Sequence, residues 1–239
     1  SHICQVWSRY MLSTVYFDTS KVVYMGNMFS GCSSLKDIDV SGFDTSKVVS
    51  NEYVSSEEVI AGMFSGCSSL TSIDVSSFNT RGVWSLNSMF SGCSSLTSVN
   101  MSNFDTSNIR EMSYMFSGCS SLTSVDMSNF DMGSVEYLYS MFENCQQLTT
   151  LYTPYNLKEV STLSGNWYKV NGTKVDRLPQ NLDHSILIMK DQVPDRPSPC
   201  IKAIKEKTVY ECGDILYTGD LTVRCYDTEG TVRRVTDYT

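Results

Sequence analysis

Five cysteines, Cys32, Cys67, Cys93, Cys119 and Cys145, occupy one position of a recurring phrase. The phrase is "MFSGCSSL", starting at Met28, Met63, Met89 and Met115, with a degraded copy, "MFENCQQL", at Met141. Cysteines in this number could hold a metal or do redox work. Zinc needs four ligands converging tetrahedrally, and a column of stacked residues spreads its ligands along a line. Disulfides between adjacent stacked units pass the distance test at about 5 Å, but parallel side chains do not turn toward one another. The ladder is therefore expected to be structural: small apolar plugs, buried as free thiols, with no metal. The chain has nine cysteines, an odd number, so at least one thiol is free or pairs between chains. Spacing does not fix the pairing of Cys4, Cys200, Cys212 and Cys225.

A second series could bind rather than react. Asp39, Asp74, Asn100, Asp126 and Tyr152 recur between two apolar positions, beside Asp37, Ser72, Ser98, Ser124 and Thr150. On a strand such residues point outward. Stacked carboxylates about 5 Å apart repel one another, so Asp37, Asp39, Asp74, Asn100, Asp126 and Tyr152 are candidates for a face that takes a basic protein, a glycan or a calcium ion. The same pattern also suits a plain solvated strand. A further carboxylate column, Asp44, Asn79, Asp105 and Asp131 in "FDTS"-like segments, is expected to cap helices. Extra residues near 50–59 carry Glu52, Tyr53, Glu57 and Glu58, which should bulge from the array as a second candidate binding patch. Catalysis has no comparable support. His2 and His184 lie in no recognisable motif, and no GxSxG, HExxH or phosphate loop is present. The carboxylates form a regular column rather than a pair in contrasting environments. The chain is expected not to be an enzyme and to need no cofactor.

These columns exist because the sequence repeats. The last three intervals between "MF" pairs are 26 residues and the first is 35. Such a period marks a solenoid whose units bury their apolar faces only by stacking. In Met89–Tyr114, the spacing Leu96, Val99, Met101, Phe104 predicts a short strand with one buried face. Asp105, Thr106 or Ser107 then caps a short helix whose stripe is Ile109, Met112, Met115 and Phe116. Ser117-Gly118 ends that helix. Strands stack at about 4.8 Å and helices at about 8–10 Å. The expected fold is an α/β solenoid: a curved array with short parallel strands concave, short helices convex, and a C-terminal β segment.

The units resemble the 26-residue leucine-rich repeat of BspA-like bacterial surface proteins, found also in mycoplasma surface lipoproteins. "MFSGCSSLTSIDVSSFNT" at Met63–Thr80 and the two following units carry the resemblance. "GNWYKVNGTKVDRLPQN" at Gly165–Asn181 looks like the segment closing such arrays. The resemblance implies a secreted or surface-attached protein and an adhesin-like role.

Residues 1–165 are therefore expected to form the array and 166–190 a hairpin cap, with a turn at Asn171-Gly172. A Pro-rich linker should follow at 191–200. Residues 201–239 alternate like β structure and resemble the first half of a bacterial immunoglobulin-like domain, in "YECGDILYTGDL" at Tyr210–Leu221, the strand Thr222–Tyr226 and the turn "DTEGT" at Asp227–Thr231. Such a domain needs about 80–100 residues, and a half-sandwich leaves strand edges open. The segment is then cut, packed on the array, or completed by another molecule.

Charge narrows the partners. The chain carries net charge -8, and between Met28 and Thr153 four basic residues stand against thirteen acidic ones. Phosphate backbones and anionic lipid are repelled, and no run approaches the roughly 18 apolar residues of a membrane span. Neither nucleic-acid binding nor membrane insertion is expected. No signal-peptide pattern is present, so anchoring would come from outside these residues. The expectation is an extracellular or cell-surface bacterial module binding a host or bacterial surface protein or glycan. The alternative is a structural subunit of an extracellular assembly, self-associating through 201–239.

Overall fold

The computed structural model describes residues 18–50, 59–156, 162–169, 174–177, 186–189, 201–203, 209–210, 223–226 and 232–234. Four three-residue strands recur where the apolar alternation predicts them: β1 (Ser72–Asp74), β2 (Ser98–Asn100), β3 (Ser124–Asp126) and β4 (Thr150–Tyr152). β1 pairs with β2 and β3 with β4, all in parallel, and each residue faces its counterpart 26 positions on, Ser72 with Ser98 and Val125 with Leu151. The central residues Ile73, Val125 and Leu151 are buried. This is a repeated pattern of short parallel strands, compatible with a repeat solenoid.

The expected helices are not there: the described residues contain none. Ile109, Met112, Met115 and Phe116 are all buried, but they lie on a turned, β-like backbone. The physical reason is where the N–H groups go. In a helix they return to the carbonyl four residues earlier. Here Leu86, Ser88, Phe90 and Gly92 donate to Glu111, Ser113, Met115 and Ser117 of the next unit, at 2.9, 3.0, 3.0 and 2.7 Å. The next interface repeats the set from Met112, Tyr114, Phe116 and Gly118 to Tyr137, Tyr139, Met141 and Glu143. Two left-handed residues per unit also break any helix: Gly31, Gly66, Gly92, Gly118 and Asn144 in one column, Asn27, Gly62, Ser88, Tyr114 and Ser140 in the other. The degraded phrase keeps Asn144 where the others have Gly, and Asn is the side chain that best tolerates this conformation. Both flanks carry hydrogen bonds between units, and the wider helix-to-helix spacing from which curvature was expected has no counterpart among the described residues.

The repeated phrase is a stacking device, and its phenylalanine is the largest part of it. Phe29, Phe64, Phe90, Phe116 and Phe142 form one continuous pile, with centroids 5.4, 5.9, 5.6 and 5.7 Å apart and planes within 12°. A second series, Phe43 on Phe78 and Phe104 on Phe130, lies beyond the strands. Glycine suits this corner because the backbone is left-handed there, φ +73° at Gly92; the 3.5 Å from a Cβ on Gly92 to the Gly66 Cα would be ordinary contact. The serines and threonines of the corner lend their hydroxyls to the preceding unit, as Ser94 does to the Ser68 carbonyl and Thr97 to the Thr71 carbonyl.

A buried threonine ladder accompanies them. Thr19, Thr45, Thr80 and Thr106 are buried, and each hydroxyl donates to the Asp or Asn carbonyl of the next unit; Thr106 reaches Asp131 at 2.9 Å. Replacing Thr106 with Val keeps the shape and leaves that carbonyl unpaired. The expected loss is about 1–3 kcal/mol, read from urea unfolding of the full chain.

After β4 the pairing turns antiparallel. β5 (Thr162–Lys169) pairs with β6 (Lys174–Arg177), and β7 (Ile186–Met189) pairs with both β5 and β4, giving the order β3-β4-β7-β5-β6. Trp167 and Leu187 join the core. β8 (Ile201–Ala203), β9 (Val209–Tyr210), β10 (Val223–Tyr226) and β11 (Val232–Arg234) form a separate antiparallel sheet in the order β11-β10-β8-β9. Asn171-Gly172 and 191–200 lie outside the described residues.

Candidate functional site

The strand face is built as the alternation requires. Asp37, Asp39 and Asp74 are exposed; Asn100, Asp126 and Tyr152 are half-buried. The acidic residues do more than face solvent. One oxygen of Asp39, Asp74 and Asp126 accepts the N–H of the serine two residues on, each at 2.9 Å, and Asn100 does the same for Ser102 at 3.2 Å. These are Asx turns, closing the corner after each strand. The other Asp74 oxygen accepts from the Asn100 amide at 2.9 Å. The Asn in this column therefore separates carboxylates and links them. Hydrogen bonds from the side chain and N–H of Ser41 hold Asp39 below the usual carboxylate range, and those from Ser76 do so for Asp74. These two positions stay anionic over the neutral range. At the far end Tyr152 is pushed up by burial and then by the charge of Asp126.

The "FDTS" column has the same chemistry. Asp44, Asn79, Asp105 and Asp131 accept the N–H two residues on, and Asp18 begins the series. They cap turns, in place of the helices expected there. Glu52, Tyr53, Glu57 and Glu58 of the inserted stretch lie outside the described residues.

The cysteine ladder is one free thiol shorter than expected. Cys67, Cys93, Cys119 and Cys145 are free, but Cys32 is disulfide-bonded. The four free members stack on an earlier copy of the phrase, and each thiol donates 3.1 Å to the phenylalanine carbonyl of the unit before it: Phe29, Phe64, Phe90 and Phe116. Cys32 belongs to the first copy and has no earlier one to stack on. Burial pushes the Cys67 and Cys145 thiols up to about 11 and the Cys93 thiol up to about 12. Cys119 is raised further, by burial first and then by its two cysteine neighbours. Such thiols are poor nucleophiles and poor ligands. Among the described residues no group of three or more His, Cys, Asp or Glu is placed to hold a metal ion, and no helix is long and apolar enough to cross a membrane.

Half a unit from the strands, the structure gathers residues the sequence reading did not single out. Arg110 lies over the Trp84 ring at 4.9 Å. Tyr137 and Tyr139 stand 6.2 Å apart on the next unit, and the Tyr114 N–H donates to the Tyr139 carbonyl. The signal was available in "EYLYS" and in Tyr114, the one aromatic in a column otherwise filled by Asn27, Gly62, Ser88 and Ser140.

The geometry defines a repeat protein in which short strands and turn segments recur every 26 residues and spend most of their polar groups on the neighbouring unit. The chain belongs to the family described as "Mycoplasma protein of unknown function, DUF285", whose model matches residues 8–57 and 58–178. This is a family of BspA-like repeats, as the repeat resemblance implied; residues 201–239 lie outside the match. No curated protein and no solved structure matches the chain.

Proposed function

We propose that the protein is a non-catalytic binding module, adhesin-like, displayed at a bacterial surface or secreted. Its repeats form a solenoid presenting a rigid acidic strand face to a protein or glycan partner. The observation that carries this reading is the division of labour among columns. Inward columns repeat Phe, Cys and Leu almost unchanged, whereas outward positions vary and hold carboxylates fixed by Asx turns. A frame this rigid loses little entropy when it binds. The disulfide at Cys32 supports an oxidising, extracytoplasmic location.

The test is binding of the full chain to immobilised host-cell surface proteins and to a glycan panel. In the Asp37→Asn/Asp39→Asn/Asp74→Asn variant, capture of the partner is expected to fall about tenfold or more, since even one hydrogen bond to a charged group contributes about 1.5–3 kcal/mol. Unchanged capture by this variant removes the strand face from the proposal. A second reading, a structural subunit, draws on the sheet β11-β10-β8-β9, whose outer strands β9 and β11 are edges able to accept a further strand. Light scattering separates the two readings: a binding module stays monomeric, and an assembly unit oligomerises only while residues 201–239 are attached.

A further inference from the structure

We infer that the turn flank around Tyr114, Tyr137 and Tyr139 is a second binding surface, distinct from the strand face, and that it takes arginine or lysine side chains of a basic polypeptide. The three rings are 43%, 46% and 56% exposed. Surface tyrosines gathered on adjoining units are the residue type that dominates interface energetics, and three further observations point to what covers them.

The first is backbone conformation. Tyr114 has φ +58°, a region that bulky side chains rarely adopt and that costs stability unless something repays it. The same column elsewhere holds Asn27, Gly62, Ser88 and Ser140, the small or amide residues stability alone selects. A tyrosine placed there and left exposed is not explained by packing.

Charge is the second. Between Arg110 and Lys158 the chain has no basic residue, while Glu111, Asp126, Asp131, Glu136 and Glu143 fall in that interval. The tyrosines therefore sit in a stretch whose acidic side chains repel anions and favour a cationic partner.

The third is a worked example on the same flank. The Trp84 face is covered by Arg110, which comes from the next unit and lies 4.9 Å from the ring centroid. That is cation–π geometry. Tyr137 follows in the neighbouring column, bridged in register to the acidic Glu111, and its own N–H donates to the Arg110 carbonyl. Among the described residues no Arg or Lys covers it or Tyr139, so a partner's guanidinium or ammonium would meet an open ring face with an acidic residue next to it in register.

The test uses the full chain and a capped Arg-Gly-Arg-Gly-Arg peptide at near-physiological salt, with the all-Glu counterpart and chitohexaose as comparators. Titration calorimetry is expected to detect the arginine peptide and not the other two. Tyr137→Ala/Tyr139→Ala should weaken it about tenfold, the effect of losing two cation–π contacts. Tyr137→Phe/Tyr139→Phe keeps the ring faces and should stay within about twofold of the parent by the same reasoning. All four substitutions are at exposed rings, and circular dichroism checks that the fold is retained. The Asp37→Asn/Asp39→Asn/Asp74→Asn variant should bind the peptide as the parent does, so failure of the strand-face proposal and failure of this one are distinguishable. Undetectable binding, binding indifferent to the Ala pair, or tyrosine-dependent binding of chitohexaose in its place each overturns the inference.

Discussion

Phe90→Ala is expected to cost about 3–5 kcal/mol, the range for truncating a fully buried phenylalanine. Phe90 has no exposure and is sandwiched between Phe64 at 5.9 Å and Phe116 at 5.6 Å. Both ring contacts are lost together, and the cavity cannot collapse because the hydrogen bonds on either side fix the spacing of the units. Phe142 makes the contrast. It stacks on Phe116 at 5.7 Å and retains 9% exposure, so Phe142→Ala should cost less, about 2–3 kcal/mol. In a repeat protein each unit is stabilised chiefly by its immediate neighbours. A break at Phe90 therefore separates the units before it from those after it, and the urea transition should broaden or split. Equal losses at the two positions, with a single sharp transition, would mean that the pile is not what couples the units.

The second large effect is alkaline. Burial raises Cys67 and Cys145 to about 11 and Cys93 to about 12, from an ordinary 9.0, and Cys119 further. Folding keeps these thiols protonated. Below pH 9 both states hold the proton and nothing is lost. Above it the unfolded chain releases protons that the folded chain retains, so stability falls as pH rises from about 9 through 11 and 12. Urea midpoints are expected to be flat from pH 7 to 8.5 and then to drop steeply, and the Cys93→Ala/Cys119→Ala variant should flatten the drop. The same burial makes the three innermost thiols unreactive toward iodoacetamide until the protein unfolds. A midpoint that holds to pH 11 in the parent chain would show that these groups are hydrated.

How far the sequence leads depends on whether a signal is local. The period of 26 was plain, and it located the strands: Val99 and Met101 alternating with polar neighbours mark the place where β2 forms. The turn flank differs from the helix its spacing predicts because Ile109, Met112, Met115 and Phe116 turn inward at intervals that suit a helix and suit a folded extended segment equally. Apolar spacing reports which side chains are buried, not where the N–H groups point. Better clues lay in the serines, in Gly118 and in the shortness of the stretch, since helices this short are weak alone. Alternation places Asp39 and Asp74 facing outward, and they are exposed, but their Asx turns depend on the serine two residues on, a detail that strand alternation does not carry. The disulfide at Cys32 was hidden for another reason: a bond to a residue outside the repeat leaves no trace in the repeat. Tyr137 and Tyr139 are close in the chain, but Tyr114 is brought beside Tyr139 only through the register that stacks one unit on the next.

That register has a direction. Over the "MFSG" phrase every N–H that crosses to another unit points toward the later one, from Phe29 to Met63, Phe64 to Met89, Phe90 to Met115 and Phe116 to Met141. The peptide dipoles of this flank consequently add, as they do along a helix, but with the donor ends aimed at the C-terminal side. Elsewhere the bonds run both ways, with Thr97 donating back to Thr71 and Val75 forward to Asn100, so this one-way polarity belongs to the phrase flank alone.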